Sequence, residues 1–424
     1  MLAHSTKRSP ATSIQSPMVA AIAGRLDLLL VAALLTLAGA ACSNSEVTLT
    51  QSCEGACNCT ASAPLELAEG AIASSTLGLA VDSTGIYWEE SQPARWSFEV
   101  PTGPYIAKLP LSGGAAVPLG PSAPLSSIAV GVTGVYWVNA PQSTGEWVCC
   151  TSAELFPLVK VGLDGGAPAI LAETDGGPVV APALNATDVY WAVAPYDEGT
   201  ATAVYDGDAG VNAVVTVMRV GLDGGAAEVM ASVPGLTGLA VDATSLYWTT
   251  EGEGGEFSEV GGVWRMPLSG GQPSELVSGR NEPQMLTVFG GNLYWTEFSA
   301  TDEWGNALGS IMQMSVDGGG LVALASDQLW LSGLAVNSTG VYWLTNSGAA
   351  AYITDTTESA LLRIGFGECE PQTLAQWQAD DGDYVVPDVA VDATAVYWTY
   401  RPPGASPTQI APERLMRVLI GAPH

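Results

Sequence analysis

Few side chains in this sequence could carry acid–base or nucleophilic chemistry. Histidine occurs only at His4 and His424, so Ser-His-Asp and Cys-His arrangements lack a well-placed base. Two acidic turns offer oxygen ligands: Asp206 and Asp208 (with Asn212) in YDGDAGVN, and Asp380, Asp381 and Asp383 in QADDGDY. All-oxygen sets suit calcium, but the first lacks the sixth-position glycine and the terminal glutamate of a calcium-binding loop. Both are read as exposed acidic turns, with calcium as a weak ligand and no resident cofactor expected. Cys53, Cys57 and Cys59 in CEGACNC, vicinal Cys149-Cys150 and Cys369 fit disulfides better than zinc, since no second pair follows at zinc spacing. The glycine pairs lack the flanking residues of a phosphate-cradling loop. With 43 acidic against 13 basic residues and a net charge of −30, nucleic acid is excluded as a partner, because its phosphates would be repelled.

A different set of residues recurs. Tyr-Trp pairs stand at Tyr87-Trp88, Tyr136-Trp137, Tyr190-Trp191, Tyr247-Trp248, Tyr294-Trp295, Tyr342-Trp343 and Tyr397-Trp398, spaced 47 to 57 residues apart. Each is preceded by a segment such as GLAVDATSL and followed by one such as VMRVGLDGG. Short strands at this period predict an all-β, seven-bladed β-propeller with one four-stranded blade per repeat.

Within a blade, strand A is the LAV run, strand B the VYW run and strand C the KV-L or RV-L run. Asp82, Asn185, Asp242, Asn337 or Asp392 opens the A–B turn, where the side chain bonds the backbone two residues on. DGG or SGG supplies positive φ for the C–D hairpin. Strands A and B are apolar on both faces, as expected of sheets sandwiched between neighbours. The seventh repeat ends after strand C. Residues from Pro64 are therefore expected to supply its fourth strand and close the ring without free edges. Lys108, Lys160, Arg219, Arg265, Arg363 and Arg417 share one position on strand C, which Gln313 takes in blade 5. They are expected to cover the strand-B tryptophans, with nearby acids as partners.

The repeat resembles the YWTD propellers of LDL-receptor class B type, and more loosely the TolB-like bacterial propellers. GLAVD before the aromatic pair and a basic-x-x-L-D-G strand after it carry the likeness. That family has six blades, whereas seven repeats occur here. The fourth YWTD position is held by Glu90, Asn139, Val193, Thr250, Glu297, Thr345 and Tyr400 rather than Asp, so the resemblance implies a fold and not a ligand.

Residues 1–41 read as a signal peptide: Lys7, Arg8 and Arg25 precede the apolar run from Leu28. Ala38-Gly39-Ala40-Ala41-Cys42 resembles a bacterial lipobox, which implies a lipidated Cys42, and Ser43 after it implies the outer membrane of the cell envelope. Residues 42–63 form a polar, Cys-containing tether and 64–421 the propeller.

Four-stranded blades put the B–C and D–A connections on one face. The B–C segments are long and different in every blade. They carry Trp96, Trp147, Trp304, Glu253 and Glu256 with the Asp206 and Asp208 turn, while Trp330, Trp377 and the Asp380–Asp383 turn are assigned to D–A connections. A variable, tryptophan-bearing face on a regular scaffold predicts a binding surface. The expected function is a monomeric, non-enzymatic scaffold that meets the membrane through its lipid and engages a protein or glycan. The alternative is a calcium-dependent lactonase-like hydrolase or lyase using channel carboxylates. Of the residues just before the LAV runs (Gly78, Ser127, Ala181, Gly238, Met285, Gly333 and Asp388), only Asp388 is acidic.

Overall fold

The computed structural model describes residues 62–70, 78–90, 104–122, 125–139, 156–174, 176–195, 214–251, 261–302, 306–346, 356–380, 388–400 and 413–420. They form seven antiparallel sheets, one per repeat. Blade 1 comprises strand A, Leu79–Val81, strand B, Gly85–Glu90, strand C, Tyr105–Pro110, and strand D, Val117–Pro121. The other sheets follow the same A-B-C-D order, with strand A of blade 3 split into Gly176–Pro178 and Ala183–Leu184. The innermost strands touch one another in sequence around a closed ring, the seventh meeting the first.

Adjacent residues on a strand point to opposite faces, and this explains the Tyr-Trp pair. Tyrosine enters one seam between blades and tryptophan the other. Tyr87 shares a buried cluster with Trp137, Tyr136 with Trp191, and so on round to Tyr397 with Trp88. The core is thus seven seams, each built from one blade's tyrosine and the next blade's tryptophan. Strand B is buried on both faces, for example over Ser245–Thr250. At about 25 cal/mol per Å², an aromatic ring burying 150–250 Å² contributes on the order of 4–6 kcal/mol.

The seventh sheet closes as the sequence predicts. Leu65–Gly70 pairs antiparallel with Glu413–Leu419, the last strand C, and Glu66 meets Arg414 at 3.0 Å across that seam. Register slips between the third and fourth strands of all seven blades, which twists the outer strand relative to the inner three. At the C–D hairpins the glycine pair is required: Gly165 and Gly166 have φ of 84° and 133°.

Two expectations need correction. Across from each basic residue on strand C stands the tyrosine, not the tryptophan: Lys108 faces Tyr87 and Lys160 faces Tyr136, with the ammonium groups 5.4 and 5.6 Å from the ring centres. The pleat decides this, since the tryptophan one residue on points to the opposite seam. Trp377, assigned to a D–A connection, lies within strand D of blade 6 (Gln372–Asp380). Half-buried there, it stacks on Trp398 of blade 7 at 5.8 Å and meets Tyr400 at 5.6 Å.

Candidate functional site

The two faces of the ring are built differently. On one, the A–B and C–D turns are tied together by polar repeats. Asp242 Oδ1 accepts from the Thr244 and Ser245 amides at 2.7 and 2.8 Å, and Oδ2 accepts from the Tyr247 hydroxyl at 2.9 Å. Asp82 and Asp392 do the same for Tyr87 and Tyr397. Burial raises the tyrosines, Tyr87 and Tyr247 to about 12, so they remain neutral donors. Three strand-C cations reach the next blade: Lys108 Nζ donates to Leu163 O at 3.1 Å, Lys160 Nζ to Leu222 O at 2.8 Å and Asp223 at 3.1 Å, and Arg265 to Asp317 at 3.4 Å. Arg219 and Arg363 instead pair with Glu228 and Glu368 of their own blades, so this ring of positive charge is taken up by structural ion pairs and carbonyl contacts.

On the other face the B–C and D–A segments meet. The Phe298 amide donates to Asn281 O, Glu251 to Gly235 O and Trp330 to Ala307 O, each joining a B–C end to a D–A connection at 2.8–3.0 Å. Every non-glycine residue with positive φ among those described lies here, between blades 4 and 6: Glu282 (45°), Met285 (52°), Asp327 (56°) and Trp330 (37°). Left-handed backbone costs an ordinary residue on the order of 1 kcal/mol, and Glu282 also precedes a proline. Trp330 is 43% exposed. In the blade 5 B–C segment, Asp302 accepts from the Asn306 amide and side chain, both at 2.8 Å.

Carboxylates on this face are pushed toward neutrality. Burial raises Glu297, against the pull of Arg280 at 3.6 Å and a 3.1 Å bond from Trp295 Nε1. Burial also raises Glu251, with the charge of Glu282 adding to it. Glu89, 2% exposed at the Thr position of the first YWTD motif, is raised by burial to about 7 despite a 3.0 Å bond from Ser122. At the fourth motif position Asn139 and Glu297 accept the indole N–H two residues back, whereas Trp88, Trp191 and Trp398, followed by Glu90, Val193 and Tyr400, have no indole partner among the described residues.

The channel positions are packing positions. A Cβ on Gly238 would come within 2.6 Å of Thr249 and 3.0 Å of Leu286 in the next blade, and one on Gly333 within 2.9 Å of Val389 in the next. Asp388 follows the same geometry: Oδ2 accepts from the Leu79 amide of blade 1 at 2.9 Å and Oδ1 from Val389 at 2.8 Å. Burial raises it to about 6. Its carboxylate ties the seventh blade to the first. Among the described residues no three His, Cys, Asp or Glu side chains converge on a possible metal position.

Of the sequence-predicted binding residues, Trp330 stands exposed on the face, Trp377 is seam packing, and Asp380 ends strand D of blade 6. Cys42, Trp96, Trp147, Asp206, Asp208, Glu253, Glu256, Trp304, Asp381 and Asp383 lie outside the described residues. Cys369 is disulfide-bonded. Glu251 and Glu297 were missed. Burial gives them their character, and no local motif announces it.

No family model matches this chain, and none of the curated proteins does. Solved structures do match. An oligogalacturonate lyase in complex with manganese is similar at 13% identity and a TM-score of 0.52, covering 75% of this chain and 83% of that one. The oligogalacturonate lyase of Vibrio parahaemolyticus matches at 13% identity and 0.51, covering 74% and 83%. The nidogen/laminin complex matches at 16% identity and 0.37, covering 64% and 84%. At these identities the likeness shows the fold alone: this chain is a seven-bladed β-propeller.

Proposed function

We propose that this protein is a non-enzymatic binding scaffold, held at the bacterial cell envelope by a lipid on Cys42, that engages a protein or glycan through its B–C/D–A face. Trp330 carries the reading: a large, exposed aromatic in a left-handed conformation, on the face where the described backbone strain is concentrated. Strain held by the surrounding structure is characteristic of ligand clamps, and rigid exposed tryptophans anchor interfaces. The acidic balance of the chain favours a neutral or basic partner surface.

The test is capture of envelope proteins and glycans on the purified chain, followed by affinity measurement with the partner recovered. Trp330→Ala weakens binding by about 2 kcal/mol, roughly 30-fold. Trp330→Gly weakens it equally and raises the stability of the free protein by about 1 kcal/mol, because glycine relieves the left-handed strain. Undiminished affinity in both variants sinks the proposal. A metal-dependent hydrolase or lyase at the channel is the rival. It rests on Asp388, whose two oxygens are already engaged by backbone amides, and the described residues supply no second carboxylate beside it. A divalent ion found on the propeller axis with several protein oxygens would put the rival in its place.

A further inference from the structure

One seam breaks the repeat at four positions at once. In blade 5 the turn acid is Phe289, the turn threonine is Gly291 and the strand-C cation is Gln313; in the facing C–D turn of blade 6, Gly367 stands where LDG motifs carry Asp. The cation that crosses the seams after blades 1, 2 and 4 is therefore missing here. In its place is a cavity of about 320 Å³, on the face opposite Trp330, lined by Phe289, Tyr294, Gln313, Leu324, Phe366 and Glu368 among others. That volume is at the lower end of the range for small-ligand pockets, roughly 300–1,000 Å³.

The chemistry of the lining is specific. Phe289 and Phe366 are 37% and 46% exposed, which is costly for phenylalanine at two facing turns. Phe366 lies 6.1 Å from the Tyr294 ring. Tyr294 and Tyr136 both lack a turn acid, but Tyr136 bonds Thr133, whereas the Tyr294 hydroxyl makes no hydrogen bond among the described residues; neither does the Gln313 amide. Glu368 brings no free charge, because Arg363 donates to both its oxygens at 3.2 and 3.3 Å and the Gly365 amide donates at 2.8 Å. The site combines apolar aromatic walls with a hydroxyl and an amide that have no protein partner among the described residues, and with no net charge. An anion is repelled by the overall charge of the molecule, and a cation finds the one carboxylate already paired.

We propose that the seam between blades 5 and 6 is a binding site for a neutral pyranose of one or two rings. Its C–H faces lie against Phe289 and Phe366, and its hydroxyls bond Tyr294 and Gln313. The site is independent of the B–C/D–A face, and the four departures are what create it.

The experiment is calorimetric titration of the full chain with methyl β-glucoside and with cellobiose, beside tetramethylammonium chloride and phenylalanine amide. Saturable glycoside binding with a Kd of about 1 mM is expected. Gln313→Arg restores the basic residue that all six other blades carry there; its side chain crosses the cavity as Arg265 crosses its own seam, and affinity falls at least about tenfold. Tyr294→Phe removes one hydroxyl and lowers affinity roughly 2- to 10-fold. Thermal melts report whether each variant is folded. Absence of saturable glycoside binding, unchanged affinity in a folded Gln313→Arg protein, or preference for the ammonium or the aromatic amide overturns the proposal.

Discussion

Glu89 shows how far a single burial site can shift chemistry. It occupies a position where blades 4, 5 and 7 carry threonine and the rest an apolar residue, and Ser122 bonds it at 3.0 Å. Its folded value of about 7 lies above the ordinary 4.5. The native state therefore binds more protons than the unfolded chain between those values. Stability attributable to Glu89 is present below pH 4.5 and is lost as pH rises through 7, on the order of 3 kcal/mol in all. Glu89→Gln keeps the hydrogen bond and removes the titration. The variant should equal the parent at pH 4.5 and exceed it by up to that amount at pH 8 in urea denaturation. A constant difference between the two across this range refutes the assignment. Trp330 is the complementary case, where strain rather than charge marks the residue.

At the scale of the element, the A–B turn is the repeat's most reused device. Asp242 is pushed up by burial, but the amides of Thr244 and Ser245 and the hydroxyls of Thr244 and Tyr247 outweigh that and hold it below its ordinary value. The sign is opposite to that of Glu89. The stabilisation is present above the unfolded value near 3.8 and is lost as pH falls through the lower folded one. Asp242→Ala should cost about 1–3 kcal/mol at pH 7 and markedly less in strong acid. Equal destabilisation at both pH values would mean that only packing was lost. The same turn in blade 5, reading Phe289-Gly290-Gly291, has given up this stabilisation, and the cavity stands there.

The molecule as a whole is a ring, and a ring has one joint where its two chain ends meet. That joint is closed twice: on the outside by Leu65–Gly70 on Glu413–Leu419, on the inside by Asp388 accepting from Leu79. Asp388→Ala removes the inner tie, leaves the Leu79 amide unpaired and should lower stability by about 1–3 kcal/mol. Deleting residues 62–70 exposes a strand edge and should cost more, and it should also promote association through the open edge. Hydrogen exchange checks this: in the deletion variant the Ala395–Tyr400 amides should lose protection before those of Ser245–Thr250. Uniform loss around the ring would contradict a localised joint.

Much of this was legible in the sequence because it repeats. Seven Tyr-Trp pairs set the blade count, strand order, turn types and ring closure, since each unit must bury the same apolar faces against its neighbours. Local rules sufficed for the Asp242 turn and the Gly165-Gly166 hairpin, whose hydrogen bonds span a few residues. The tertiary structure alone decided which contacts cross between blades. It set Lys160 over tyrosine instead of tryptophan, turned Asp388 from a channel carboxylate into the tie on Leu79, drew Trp377 into a seam and opened the cavity beside Phe366. Those depend on where the pleat and the ring bring residues distant in sequence, some by more than 300 positions, and burial of that kind leaves no local pattern to read.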